Sequence, residues 1–239
     1  MVVIKILKRL WKDRWIFWSL PYTLYFNFHY LPFRHAILLP IWLFKPKLLK
    51  CGGKLKISNS YGKLKPGMIT LGKDMVSIYP SNGITWENRG TIIFGGHACI
   101  GNNSYISTGE DAVINIGEGF LATTSLKIVS YDSINIGRNC TIGWDCLIMD
   151  TDFHTITKID NSHTKGFGPI NIGNNIWIAN GCKIYKNISL PDYIVVASNT
   201  ILTQSHTNIP KYSVIGNKRS VDILSQGWFN KDDNKINYK

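Results

Sequence analysis

Acidic residues are scarce: 15 Asp and Glu stand against 27 Lys and Arg in 239 residues, a formal net charge of +12. The shortage is local, since residues 1–50 hold nine basic residues and one acid (Asp13), +8 of the +12, with 12 of the 29 aromatics. Cysteines are few and unpaired in sequence. Cys51, Cys99, Cys140, Cys146 and Cys182 are odd in number and form no CxxC, which argues against a disulfide framework or a zinc ribbon and points to a reducing compartment. No apolar run approaches the ~20 residues of a spanning helix; Ala36 to Phe44, for example, is interrupted by Pro40. Lys5, Lys8, Arg9, Lys12, Asp13 and Arg14 break what would be the apolar stretch of a signal peptide, so the N-terminus is expected to be retained. Rossmann and P-loop signatures are missing, which excludes nucleotide hydrolysis and hydride transfer. What remains, at 44% hydrophobic and 18% charged, is a globular composition of one large domain or one domain with an appendage.

The chain does have a repeat. Ile-Asn-Ile-Gly occurs at 114, 134 and 170, and from Ile172 every sixth residue is aliphatic: Ile178, Ile184, Leu190, Val196, Leu202. Ile136, Ile142 and Ile148 lie in the same phase. The next residue is repeatedly small (Gly101, Gly117, Gly137, Gly143, Gly173, Ala179, Ala197), and four residues after each aliphatic comes another small or apolar side chain, as at Ser104, Cys140, Cys146, Ile176, Cys182 and Thr200. A period of six does not fit a helix, whose period is about 3.6. It fits short strands that turn a corner and stack coil upon coil, with the cysteines filling small inward sites.

These hexads, over about residues 90–220, resemble the hexapeptide-repeat acyltransferases. The resemblance implies an all-β, left-handed parallel β-helix with about 18 residues per coil, so that the 36-residue interval from 134 to 170 would be two coils. The expected organisation is a basic aromatic segment at 1–50, the β-helix at 51–220 with a loop at 154–169, and a C-terminal tail at 221–239.

After Ile148 the hexads give way to Met149-Asp-Thr-Asp-Phe-His-Thr-Ile156 and a polar stretch to Pro169, with His154 six residues after Ile148. Loops leaving a rigid scaffold concentrate function. The segment resembles the catalytic motif of sugar O-acetyltransferases and polysaccharide-modifying enzymes, which lies some two dozen residues before a Trp177-Ile-Ala-Asn180 type segment. A neutral imidazole, titrating near 6.5, takes the proton of a sugar hydroxyl as it attacks a thioester carbonyl; His154 is the expected general base. Asp152 either orients that ring or contacts the sugar, or simply turns a corner. Thr124 and Ser125 align where the family has an acceptor-binding Asn, and His163 lies inside the loop.

The resemblance also implies acetyl-CoA as co-substrate, without a metal, in a groove between subunits of a homotrimer. Residue by residue, its contacts fall on Asn180, Ser198 and Thr203, with Gln204 where the family has Lys and with Lys218 and Arg219 near the phosphates or in solvent. The implied reaction is transfer of acetyl to a hydroxyl of a surface-polysaccharide sugar or its lipid-linked precursor. Alternatives are amino-sugar N-acylation, a γ-carbonic-anhydrase-like zinc enzyme, which would need a third histidine in phase with His154 and His163, and a non-catalytic β-helix. The head, with Trp11, Trp15, Trp18, Tyr22, Tyr25, Phe26, Phe28 and Tyr30 beside its cations, has the composition of a membrane-interface segment; the same residues equally suit a cap on the β-helix. Basic excess alone is no nucleic-acid motif, and no such partner is expected. The expected location is cytoplasmic, either free or peripheral at the inner face of the membrane.

Overall fold

The computed structural model describes residues 15–58 and 63–217, with side chains from Trp18 onward in the first helix. Helix α1 (Trp15–Tyr30) and the short α2 (Phe33–Ala36) lead into 21 short strands, β1 (Ile41–Leu43) to β21 (Val214–Ile215). All named strand pairs are parallel, and each strand pairs with the one three places on until β19 (Val195–Val196) pairs β21. The result is a left-handed β-helix, a three-sided prism whose first, second and third faces hold eight, seven and six strands.

The hexad explains the prism. Inward positions carry branched aliphatics that stack in columns: Ile116, Ile136 and Ile172 are in register and at most 4% exposed. Each side chain so buried contributes roughly 1.5–3 kcal/mol. Between the two isoleucines of each Ile-Asn-Ile-Gly, the asparagines point outward and stack, Asn115 Nδ2 donating to Asn135 (2.6 Å) and Asn135 Nδ2 to Asn171 (2.9 Å). The closing glycine turns the corner because no Cβ fits there: one on Gly117 would meet the Gly137 carbonyl carbon at 2.5 Å, and one on Gly137 that of Gly173 at 2.6 Å. The small corner sites are buried as expected. Cys140, Cys146 and Cys182 donate their thiols to the carbonyls of Gly173, Ala179 and Ala197, respectively, at 3.1–3.2 Å. Burial pushes the Cys140 thiol up to about 11, which keeps it a protonated filler rather than a nucleophile.

Two expectations need correcting. Ile134 pairs directly with Ile170, and Asn135 with Asn171, so the 36-residue interval is one coil and its loop, not two coils. The loop is about as long as a coil, which preserves the phase of the hexads across it. The β-helix also starts earlier than residue 51, because β1 pairs β4 (Ile69–Lys73) and β2 (Lys47–Cys51) pairs β5 (Ile84–Asn88).

Helix α1 covers the open edge of β1. Ser19, Thr23 and Asn27, four residues apart, turn to the strand: Asn27 brackets Ile41 through both its N–H and C=O, Thr23 Oγ1 accepts from Leu43 N (3.1 Å) and Ser19 Oγ from Lys45 N (3.0 Å). Phe26, fully buried, lies edge-on to Trp86 at 5.1 Å, while Trp86 Nε1 donates to Tyr30 Oη (3.1 Å). Burial outweighs the opposing hydrogen bonds and raises the Tyr30 phenol to about 12. Trp11, Lys5, Lys8, Arg9, Lys12 and Arg14 lie outside the described residues, as does the 221–239 tail.

Candidate functional site

On the edge between the second and third faces, β14 (Leu147–Met149) does not turn directly into β15 (Ile170–Ile172). The turn starts at Asp150, whose side chain is fully buried and whose carboxylate holds the corner of the preceding coil: it accepts from Ser130 Oγ (2.6 Å), Tyr131 N (2.6 Å) and Asp132 N (3.0 Å). Burial raises its carboxyl above the ordinary range, and these three donors pull the other way. With the corner so occupied, the chain runs outward as a two-armed loop. Thr151 bridges Phe167, Asp152 N donates to Gly166 O (2.7 Å), Thr164 N to Ile156 O (2.9 Å) and Lys158 N to Ser162 O (2.8 Å). The return arm reaches the coil where Gly168 N donates to Asp150 O (3.0 Å).

His154 sits on the outgoing arm, exposed, and its imidazole makes no hydrogen bond or ion pair with the described residues. Its backbone is held by close packing, since a Cβ on Gly166 would lie 2.5 Å from the His154 carbonyl oxygen. Phe153, in a left-handed conformation (φ 60°), packs edge-on against Tyr131 at 5.1 Å. Together these contacts leave the ring free and the arm fixed. Asp152 does not face His154 in this structure: its carboxylate pairs with the ammonium of Lys186, which comes from the same edge one coil on. His163 lies on the return arm, its Nδ1 3.1 Å from Thr157 Oγ1.

The other candidates divide between two edges. Asn180 and Ser198 meet on the edge between the first and second faces, Ser198 Oγ donating to Asn180 Oδ1 at 2.8 Å. Thr124 and Ser125 share that edge. Thr124 is buried and spends its hydroxyl on Asn102 O and Oδ1 (both 2.8 Å), and Ser125 Oγ accepts from Asn103 Nδ2 (2.7 Å). Trp144, 39% exposed, lies beside them, its neighbour Asp145 accepting from Tyr79 of the loop 74–83. Thr203 and Gln204 follow β20 (Ile201–Leu202) toward the His154 edge and, with His206 and Asn217, line a cavity of about 200 Å³ that runs along β20 back to the opposite corner. Lys218 and Arg219 lie outside the described residues.

The edges are separated by the width of the second face. About five extended residues span roughly 17 Å, so one chain does not bring His154 and Ser125 to a single reacting atom. Among the described residues no three His, Cys, Asp or Glu side chains are placed to hold a metal ion. Nor is any described helix long and apolar enough to cross a membrane. Sequence reasoning missed Asp150, Lys186 and Trp144. The only available signal was the aspartate that opens the broken hexad.

No protein-family model matches the chain. Galactoside O-acetyltransferase of Escherichia coli (strain K12) is 31% identical over 127 residues, a stretch spanning 49% of this chain and 60% of that protein. This similarity bears out the resemblance to the hexapeptide-repeat acyltransferases read from the hexads. Among solved structures, the polySia specific acetyltransferase NeuO covers 80% of this chain and 75% of its own with a TM-score of 0.41 and 16% identity, too distant a likeness to bear on function.

Proposed function

We propose that this chain is an acetyl-CoA-dependent O-acetyltransferase of the hexapeptide-repeat family, acting on a hydroxyl of a sugar in a surface polysaccharide or its lipid-linked precursor. The observation that carries the reading is the loop at 151–168, which holds an unpartnered imidazole out from an otherwise regular edge. His154 takes the hydroxyl proton as the sugar oxygen attacks the thioester carbon. The tetrahedral intermediate then collapses, the C–S bond breaks, and the imidazolium returns the proton to the departing thiolate. No described side chain competes for the ring, so the acceptor hydroxyl is its hydrogen-bond partner. The Asp152–Lys186 pair anchors the base of the arm to the next coil.

Two copies complete the site. In a cyclic trimer the His154 edge of one copy faces the Asn180–Ser198 edge of the next, and acetyl-CoA lies in the groove between them with Thr203 and Gln204 on its other wall. Lys218 and Arg219 reach its phosphates. Thr124, Ser125 and His163 sit toward the acceptor, Thr124 through the backbone it holds rather than through its hydroxyl.

The test is transfer of labelled acetyl from acetyl-CoA to a panel of mono- and oligosaccharides, then to acceptors supplied in membranes. An ester product, cleaved by mild alkali, is expected. An alkali-resistant amide would replace O-acylation by amino-sugar N-acylation. If neither free nor membrane-supplied saccharides accept the label, the reading fails.

A further inference from the structure

A helix lying on a water-soluble domain normally turns its apolar stripe inward and its polar stripe outward. Helix α1 is the reverse. Its inward stripe is largely polar, with Ser19, Thr23 and Asn27 all under 10% exposed and committed to the backbone of 41–45. Its outer surface is apolar: Trp18 is 80% exposed, Tyr25 52%, Tyr22 48% and Phe28 46%. Phe33 and Ile37 extend the patch beyond the helix at 71% and 55%. The capping hydrogen bonds and Phe26 account for how the helix is held, so the outer rings are not needed for the cap. A contiguous exposed apolar face of this kind marks an interaction surface.

Charge identifies the partner. From Arg14 to Lys73 the sequence contains no acidic residue, and between 15 and 73 it carries nine Lys and Arg. Arg34 on α2, Lys47 and Lys50 on β2, and Lys54 and Lys56 on β3 (Lys54–Ile57) are exposed at the same end of the prism, and none forms an ion pair with the described residues. A second copy of the chain would set these cations against themselves. Trp and Tyr rings flanked by unpaired cations match the headgroup layer of a bilayer carrying anionic lipid. We propose that the outer face of α1, formed by Trp18, Tyr22, Tyr25 and Phe28, docks on the surface of an anionic lipid bilayer, with Arg34 and the first-coil lysines meeting the headgroup charge. The docking is peripheral and independent of the acyl-transfer chemistry.

Flotation of the full chain with vesicles tests this directly. The protein is expected to float with vesicles containing about one-third phosphatidylglycerol, not with phosphatidylcholine alone, and binding is expected to weaken as salt rises. Replacing the rings by Trp18→Ser, Tyr22→Ser and Tyr25→Ser is expected to reduce bound protein at least tenfold, with circular dichroism and oligomeric mass unchanged. Lys50→Glu with Lys54→Glu, whose exposed side chains make no hydrogen bond or ion pair with the helix, is expected to weaken anionic binding several-fold and serves if the triple variant does not fold. The proposal is overturned if the wild type fails to float at low salt, or if neither variant set lowers binding. It is equally overturned if loss of the rings changes the oligomeric mass, since the face would then join copies of the chain.

Discussion

Asp150 and His154 are four residues apart and play opposite parts. The first is fully buried and holds three donors of the coil before it; the second is exposed and holds nothing. Asp150→Ala leaves Tyr131 N and Asp132 N without their acceptor, a loss of about 2–3 kcal/mol, and frees the base of the arm. Chemical denaturation and acetyl transfer should fall together in that variant; full activity would mean that the corner does not position His154. Gly166→Ala separates position from stability. Its methyl would collide with the His154 carbonyl oxygen, so a fall in kcat of tenfold or more is expected with little change in unfolding midpoint. His154 was legible in the sequence because it interrupts a strict pattern. Asp150 was not, since an aspartate at a corner reads the same whether it binds its own backbone or a ligand. Nor was the Asp152–Lys186 pair, whose members are 34 residues apart and meet only through coil register.

At the scale of elements, the strands were legible because burial imposes the period of six, and the corners because small residues recur beside it. The coil count was not. A loop as long as a coil leaves every later hexad in phase, and only the pairing of Ile134 with Ile170 reveals it. The cap had a readable trace in Ser19, Thr23 and Asn27, polar residues at helical spacing within an aromatic run, but their edge-strand partner lies beyond a turn. Corner chemistry yields a pH prediction. Asp192 Oδ1 accepts from Asn174 N (2.7 Å), and that bond is the main cause holding its carboxyl below the ordinary range. A depressed folded value stabilises above the unfolded pKa of about 3.9 and is lost as pH falls through the folded one. Wild type should therefore exceed Asp192→Asn in stability at pH 7, by less than about 1 kcal/mol at this solvated corner. The gap should close as pH falls below the unfolded value and through the depressed folded one, as urea unfolding at neutral and acid pH would show; a gap that persists in acid would contradict the assignment.

The molecule as a whole is a prism whose proposed functions fall on its edges and on one end. His154 and the Asn180–Ser198 pair occupy different edges, so sharing between copies is testable by complementation. His154→Ala and Asn180→Ala chains are each expected to be poorly active alone. Co-assembled in equal amounts as cyclic trimers, they should recover about one quarter of wild-type activity, the chance that adjacent copies supply one intact edge each. No recovery from verified mixed trimers would place the whole site within one chain. The central claim, however, rests on one imidazole. Its most direct test is release of CoA thiol from acetyl-CoA by wild type and by His154→Ala, with the acceptor found to be active. A fall in kcat/KM of about 100-fold or more is predicted for the folded variant, whereas equal rates would show that His154 is not the base.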